Sequence, residues 1–122
     1  MDRNETAFID RLCDAFPSIA RLRSEHLQDN YGELLAHLFL GDVARYAISL
    51  FDSTSDSARR ELTSLSGFME REYTTGTPSV RDLIDLGFLE NLAGPPEAYW
   101  RIRTVLGPEL RKAIEEMWPS GG

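Results

Sequence analysis

The sequence predicts an all-α protein, a compact single-domain bundle of about six to seven helices around two central apolar helices. Apolar residues recur at helical spacing along nearly the whole chain. Stretches of alternating β-branched residues bounded by hairpin turns, which would predict strands, are nearly absent. At 122 residues with 42% hydrophobic side chains, the chain can bury one core but is too short for two. We therefore expect one domain over residues 1–122, ordered over about residues 5–118.

The first two helices are delimited by a cap and a proline. Asn4 can cap a first helix that runs to about Phe16, where Pro17 interrupts the helical pattern. Pro17 and the serine after it suit the first turn of a second helix, which runs to about Gln28. The tetrapeptide Asp-Asn-Tyr-Gly at 29–32 then breaks the pattern.

Three further helices follow from the same signals. The third runs from about Glu33 to Asp52, and the fourth follows a polar turn and covers roughly Ser57 to Tyr73. The fifth begins at Ser79 and reaches Leu92, because Ser79 with Asp82 resembles a capping box whose acid is Asp rather than Glu.

Prolines and glycines delimit the last two helices. The sixth opens at Pro96 and runs to Leu106, and the seventh opens at Pro108 and ends at Trp118.

Helices three and five are predicted to be the central ones, because apolar side chains surround most of their circumference. On helix three only one polar stripe remains, formed by Asp42, Arg45, Ser49 and Asp52. On helix five the apolar residues point nearly all round; they are Val80, Leu83, Ile84, Leu86, Phe88, Leu89 and Leu92. The other helices are amphipathic and would wrap these two.

Charge and composition exclude several functional classes. The chain has 20 acidic residues against 13 Lys and Arg, a formal charge of −7, which argues against binding to nucleic acid. No run of about 18 apolar residues is present, so no transmembrane helix is expected. No secretory signal precedes the first helix, and Cys13 cannot form an internal disulfide. These observations predict a cytoplasmic protein without a cofactor.

One constellation has a spacing that metal ligands can use. Glu33 and His37 are four residues apart on the predicted third helix, and His26, Asp29 or Asp42 could complete a ligand set. The pattern is neither a zinc-protease signature nor a pair of Glu-x-x-His motifs. The favoured interpretation is structural, with a first-turn Glu and a partly buried His bonded to it. We therefore assign no metal, and a metal-dependent enzyme using Glu33, His37 and Asp42 is an alternative.

Two other groups of polar and aromatic side chains have both a structural and a binding interpretation. Asp42 and Arg45 can pair on the helix surface, where they either anchor helix three or face a partner. Trp100 and Arg103 belong to an aromatic and basic cluster of the kind enriched at binding hot spots. The other interpretation is that Trp100 and Trp118 complete the core of the bundle.

Three segments together resemble a family of small, acidic, helical bacterial proteins classed as a domain of unknown function. They are ELLAH at 33–37 with DVAR at 42–45, DLI at 82–84 leading into FLENL at 88–92, and LGPEL at 106–110. The resemblance spans roughly residues 8 to 112. It implies a bacterial source and a compact helical fold, and no established catalytic activity. The polar positions shared with that family are His37, Asp42, Arg45, Glu90 and Asn91.

We expect a non-catalytic protein-binding module, most sharply a bacterial immunity (antitoxin-like) protein that neutralises a basic toxin domain. A small, strongly acidic helical body can cover a basic cleft and associate rapidly through electrostatic steering. The candidate partner-binding residues are Glu70, Glu72, Asp82, Asp85, Trp100 and Arg103. Besides the metal-dependent enzyme, a structural oligomerisation module is an alternative, a homodimer in which Trp100 and Trp118 bury between protomers.

Overall fold

The helices of this protein follow one another with short connections, and the computed structural model describes them for residues 1–93 and 101–117. The α-helices are α1 (Arg3–Ala15), α2 (Pro17–Asp29), α3 (Ala36–Asp52), α4 (Asp56–Thr75), α5 (Pro78–Leu83), α6 (Glu90–Ala93) and α7 (Pro108–Met117). A π-helix (Ile84–Leu89) joins α5 to α6 without a break, and a 3₁₀ turn (Arg103–Val105) precedes α7. Within those ranges no residue forms a strand, so the predicted all-α class is confirmed.

No helix in the described part of the chain combines the length and the apolar character that a membrane crossing requires. The expectations about Trp100, Trp118 and the start of the sixth helix concern residues outside the described ranges.

Side chains cap the first turns of three helices. In two of these helices the capping residue lies two residues before the predicted one. The Asp2 carboxylate accepts a hydrogen bond from the Glu5 backbone N–H at 2.8 Å, and the Glu5 carboxylate accepts one from the Asp2 N–H at 3.4 Å. This capping box begins α1, so the prediction of Asn4 as the cap is wrong and Asn4 lies within the first turn. The hydroxyl of Ser55 begins α4 by accepting from the Ala58 N–H at 3.0 Å.

The fifth helix begins at Pro78 rather than at Ser79. The Thr77 hydroxyl accepts a hydrogen bond from the Val80 N–H at 3.4 Å, and Pro78 occupies the first helical position. The predicted cap, Ser79, is therefore inside the helix. A proline is preferred at that first position because its missing N–H has no partner there in any helix.

The third helix begins three residues later than predicted, because the chain first has to leave α2. Tyr31 and Gly32 both have left-handed backbone conformations, with φ of 57° and 82°. The Gly32 N–H donates to the Leu27 carbonyl oxygen at 2.7 Å and so satisfies one of the last carbonyl groups of α2. The chain then turns before it enters α3 at Ala36, and Glu33 lies outside the helix.

The predicted central position of helices three and five is borne out by their packing. A Cβ atom on Gly87 of the π-helix would lie 2.6 Å from the Leu40 Cβ atom of α3, and one on Gly41 would lie 3.2 Å from the Asn91 Nδ2 atom of α6. Most apolar side chains of both segments are buried; in α3 they are Phe39, Leu40, Val43, Ala44, Ala47 and Leu50.

Two of the leucines expected in the centre are instead at the surface. Leu86 is 51% exposed and Leu35 is 38% exposed. In a π-helix each N–H bonds to the carbonyl five residues back, which lengthens the turn and changes the face that each residue presents. Leu86 lies within that π-helix, whereas Leu35 precedes α3 and belongs to the connection from α2. Neither position could be placed by a wheel of regular α-helical spacing.

Candidate functional site

Glu72, one of four acidic residues expected to bind a partner, pairs with an arginine of α1. The Nη2 atom of Arg11 donates to Glu72 Oε1 at 2.6 Å, and its Nε atom donates to Glu72 Oε2 at 3.0 Å. This two-bond geometry links α1 to α4, and the Glu72 carboxylate raises the pKa of the Arg11 guanidinium. Glu72 is therefore committed to a contact within the bundle.

Glu70 caps a helix that is remote in sequence. Its carboxylate accepts hydrogen bonds from the backbone N–H groups of Glu109 and Leu110, at 2.9 and 3.0 Å, in the first turn of α7. Gly107 leaves room for this contact, because a Cβ atom there would lie 2.4 Å from Glu70 Oε2. A carboxylate at a helix N-terminus satisfies free N–H groups and complements the helix dipole. Glu70 thus fastens α7 to α4.

Asp85 is half-buried near Tyr73. The Oδ1 atom of its carboxylate is buried without a hydrogen-bond partner in the described structure. Burial raises the pKa of Asp85, and the nearby charges of Asp82 and Glu116 add to that increase. Burial and the neighbouring Asp85 carboxylate raise the pKa of Tyr73 to about 12. Among the four predicted acids, only Asp82 is exposed, and the other three are half-buried.

The two histidines have different environments, and that of His37 differs from the one predicted. His37 is exposed and Glu33 lies before α3, so the prediction that the two share one helix face is wrong. His26 of α2 is only 3% exposed, and its Nε2 atom accepts the Leu35 backbone N–H at 3.0 Å. His26 therefore holds the connection that leads into α3. In the sequence, the only sign of this contact is that His26 lies about one turn before the break at 29–32.

A polar cleft between α2 and α3 contains Asp42 and Arg45. These two residues form the predicted ion pair, and Asp42 Oδ2 lies 3.8 Å from His26 Nδ1. The cleft has a volume of about 410 Å³ and is also lined by Glu25, Asp29 and Tyr46. Within residues 1–93 and 101–117, no three His, Cys, Asp or Glu side chains are grouped as ligands of a metal ion would be.

The remaining positions expected from the family resemblance and the aromatic cluster have separate environments. The Asn91 side chain donates to the Gly87 carbonyl oxygen at 2.7 Å and packs against Gly41, so it lies between the two central helices. Glu90 is exposed on α6, and Arg103 is exposed on the 3₁₀ turn. Trp100 lies outside the described residues.

Two exposed leucines and two exposed acids lie on the segments that pack together, the start of α3 and the stretch from α5 to α6. Leu38 is 52% exposed and Leu86 is 51% exposed. Leu38 follows His37 and Leu86 precedes Gly87, and the backbones of His37 and Gly87 are in contact. Leu86 has the exposed acids Asp82 and Glu90 four residues away on either side. We call Leu38, Asp82, Leu86 and Glu90 the acidic–apolar surface. The sequence predicted Asp82 as a partner-binding residue and Glu90 only as a position shared with the resembled family, and the exposure of both leucines was missed.

Comparison with known proteins gives a family without an assigned role. The model of a family described as a domain of unknown function, DUF7674, matches residues 9–119. This match confirms the resemblance to a domain of unknown function over most of the chain. No curated protein and no solved structure matches the chain significantly.

Proposed function

The chain belongs to the DUF7674 family, a domain of unknown function, and from its own surface we propose that it is a non-catalytic protein-binding module. The sharpest form of the proposal is a bacterial immunity protein that acts in the cytoplasm and neutralises a basic toxin domain. The observation that carries it is the acidic–apolar surface, where the half-exposed Leu86 has the exposed acids Asp82 and Glu90 four residues away on either side, and the half-exposed Leu38 lies on the adjoining start of α3.

Exposed leucines with a charged surround are typical of a protein interface. An interface commonly has an apolar centre that loses its water on binding and a polar rim that remains hydrated. Leu38 and Leu86 supply the centre here, and Asp82 and Glu90 supply the rim. The arrangement supports a partner with an exposed apolar side chain and basic residues around it.

The charge of the chain favours a basic partner over a second copy of itself. With a net charge of −7, the protein attracts a cationic surface from a distance and raises its association rate. In a symmetric dimer through the same surface, each protomer would present the same acids to the other. Asp82 and Glu90 would then oppose acidic groups rather than bases.

The proposal is tested by capture of partners from a bacterial lysate at about 50 and 500 mM salt, conditions of weak and strong screening. Wild type, Leu86→Ser and the double variant Asp82→Lys/Glu90→Lys are compared. A control with the same change in net charge is Asp14→Lys/Glu115→Lys, at exposed positions outside the surface. We expect a basic partner that wild type and the control capture at low salt and that the other two variants lose.

Capture of the same partner by all four proteins would contradict the proposed surface, and an acidic partner would contradict the proposed chemistry. The immunity role needs a second experiment, in which the captured partner is produced in a host with and without this protein. We expect the partner to arrest growth and wild type to restore it, whereas Leu86→Ser should not. Binding without rescue would refute the immunity role and retain the binding module.

A further inference from the structure

A second groove lies on other elements, between α4 and the corner where α1 meets α2. Its volume is about 560 Å³, and Phe16, Arg60, Gly67, Phe68 and Arg71 contribute to its lining. None of these residues belongs to the acidic–apolar surface. The Phe68 ring is half-buried and packs edge-on against the Phe16 ring, with 5.8 Å between their centroids. The groove therefore has an aromatic wall.

The glycine in this groove has no packing reason to be a glycine. A Cβ atom on Gly67 would meet only the Nη1 atom of Arg71, at an ordinary contact distance of 3.4 Å. By contrast, a Cβ atom on Gly87 or Gly107 would collide with a neighbouring residue. Glycine within a helix is less stable than alanine, because it loses more backbone freedom on folding. The physical consequence of Gly67 is an open floor in the groove.

The groove is positively charged although the protein is acidic. Arg60 and Arg71 are exposed, and neither forms an ion pair among the described residues. Glu61 also lines the groove, with its carboxylate hydrogen-bonded to the Tyr46 hydroxyl, so the lining carries two arginines against one carboxylate.

We propose that this groove, the α4 groove, binds an acidic segment of a protein partner. Carboxylates of that segment would pair with Arg60 and Arg71, and an apolar side chain would lie over Gly67 and against the Phe68 ring. Charge complementarity selects this occupant, because the two arginines are unpaired cations on a chain of net charge −7. The inference goes beyond the proposed function, since the site has the opposite sign and lies on other helices.

The first test is an NMR titration of the isotope-labelled full chain with a synthetic peptide of alternating Glu and Leu. The control peptide has Lys in place of each Glu. We expect the acidic peptide to shift the amide signals of Ser64, Gly67 and Phe68 in a saturable way, and the basic peptide to leave them unchanged. Affinity should fall about tenfold or more between about 50 and 500 mM salt. Absence of shifts in the groove, or equal shifts with both peptides, would overturn the proposal.

Variants then separate the groove from the fold. Gly67→Leu should fill the floor and abolish binding of the acidic peptide, and Arg60→Gln/Arg71→Gln should weaken binding about tenfold or more. The matched control Arg59→Gln/Arg111→Gln changes exposed arginines outside the groove and should bind as wild type does. Gly67→Ala should melt at a higher temperature than wild type, which verifies that glycine serves no packing need. Unchanged affinity in both Gly67→Leu and Arg60→Gln/Arg71→Gln would refute the site.

Discussion

Several polar side chains of this protein satisfy backbone groups at the ends of helices. His26 accepts a hydrogen bond from the backbone N–H of Leu35, the residue just before α3. The Leu35 side chain makes no capping hydrogen bond to that helix. Glu70 likewise accepts hydrogen bonds from two backbone N–H groups of α7. A side chain that caps the start of a helix in this way contributes about 0.5–2 kcal/mol to stability.

The two histidines provide a matched pair for testing this role. We expect His26→Ala to lower the free energy of unfolding by about 2–3 kcal/mol, because the Leu35 N–H loses its acceptor and a buried ring is removed. His37→Ala, at an exposed position, should change it by less than about 0.5 kcal/mol. Urea unfolding of both variants measures the difference. Equal effects would show that the His26 contact does not hold the connection to α3.

The Asp85–Tyr73 pair makes stability depend on pH. The pKa of Asp85 is raised above its ordinary value of 3.8, chiefly by burial. The folded protein therefore holds this proton more tightly than the unfolded chain. As the pH rises above 3.8 and through the higher pKa of the folded state, ionisation of Asp85 reduces the stability of the fold.

Replacing Asp85 with Asn removes this ionisation and keeps a side chain of nearly the same size and shape. We expect Asp85→Asn to melt at a higher temperature than wild type at pH 7, where the wild-type carboxyl is driven to ionise. At about pH 3 the gain should disappear, because both proteins are then neutral at this position. Thermal unfolding followed by circular dichroism at the two pH values measures it. A gain of equal size at both would indicate a cause other than ionisation.

At the scale of elements, the contact between α3 and the π-helix organises the bundle. Gly87 brings the π-helix backbone against the His37 backbone, and Gly41 allows Asn91 to approach α3. Asn91 in turn bonds to the Gly87 carbonyl oxygen. Small residues at these points set how closely the two central helices approach.

The glycines of the π-helix and of α4 should respond in opposite ways to the same substitution. Gly87→Ala places a Cβ atom 2.6 Å from the Leu40 Cβ atom, and we expect it to lower the free energy of unfolding by about 1–3 kcal/mol. Gly67→Ala meets no close neighbour and should raise it by about 0.5–1 kcal/mol through helix propensity. Chemical denaturation of both variants compares them. Stabilisation by Gly87→Ala would mean that the helices can separate at no cost.

At the scale of the whole molecule, the two proposed binding surfaces carry charges of opposite sign. The acidic–apolar surface lies on α3 and the segment from α5 to α6, whereas the α4 groove involves α1, α2 and α4. The two have no residue in common. Their charges would attract different partners, so the two proposals together describe a module that can bind two chains at once.

Independence of the two surfaces is a prediction in itself. Leu86→Ser should lose the basic partner and bind the Glu/Leu peptide as wild type does, whereas Gly67→Leu should lose the peptide and retain the partner. Both substitutions leave the net charge unchanged, so long-range attraction is the same in all three proteins. Binding titrations of each variant with each ligand measure this. Loss of both ligands in either variant would show that the surfaces are coupled.

The sequence by itself determined the helical class, most helix ends and the central pair of helices. These features depend on local signals, because prolines, polar caps and the spacing of apolar residues act within a few turns of the chain. The predicted Asp42–Arg45 pair is equally local, since its members are three residues apart on one helix. The predicted caps Asn4 and Ser79 are wrong because several polar residues near each of these helix starts could serve as the cap.

Only the tertiary structure decided which polar side chains are engaged within the bundle and which remain available to a partner. Glu70 and Glu72 resemble surface acids in the sequence, yet α7 and Arg11 engage them across 39 and 61 residues. Leu86 resembles a core residue, but the π-helix turns it outward. The physical reason is that burial and pairing depend on what other helices bring to a face. A single chain segment specifies its own periodicity but not its neighbours.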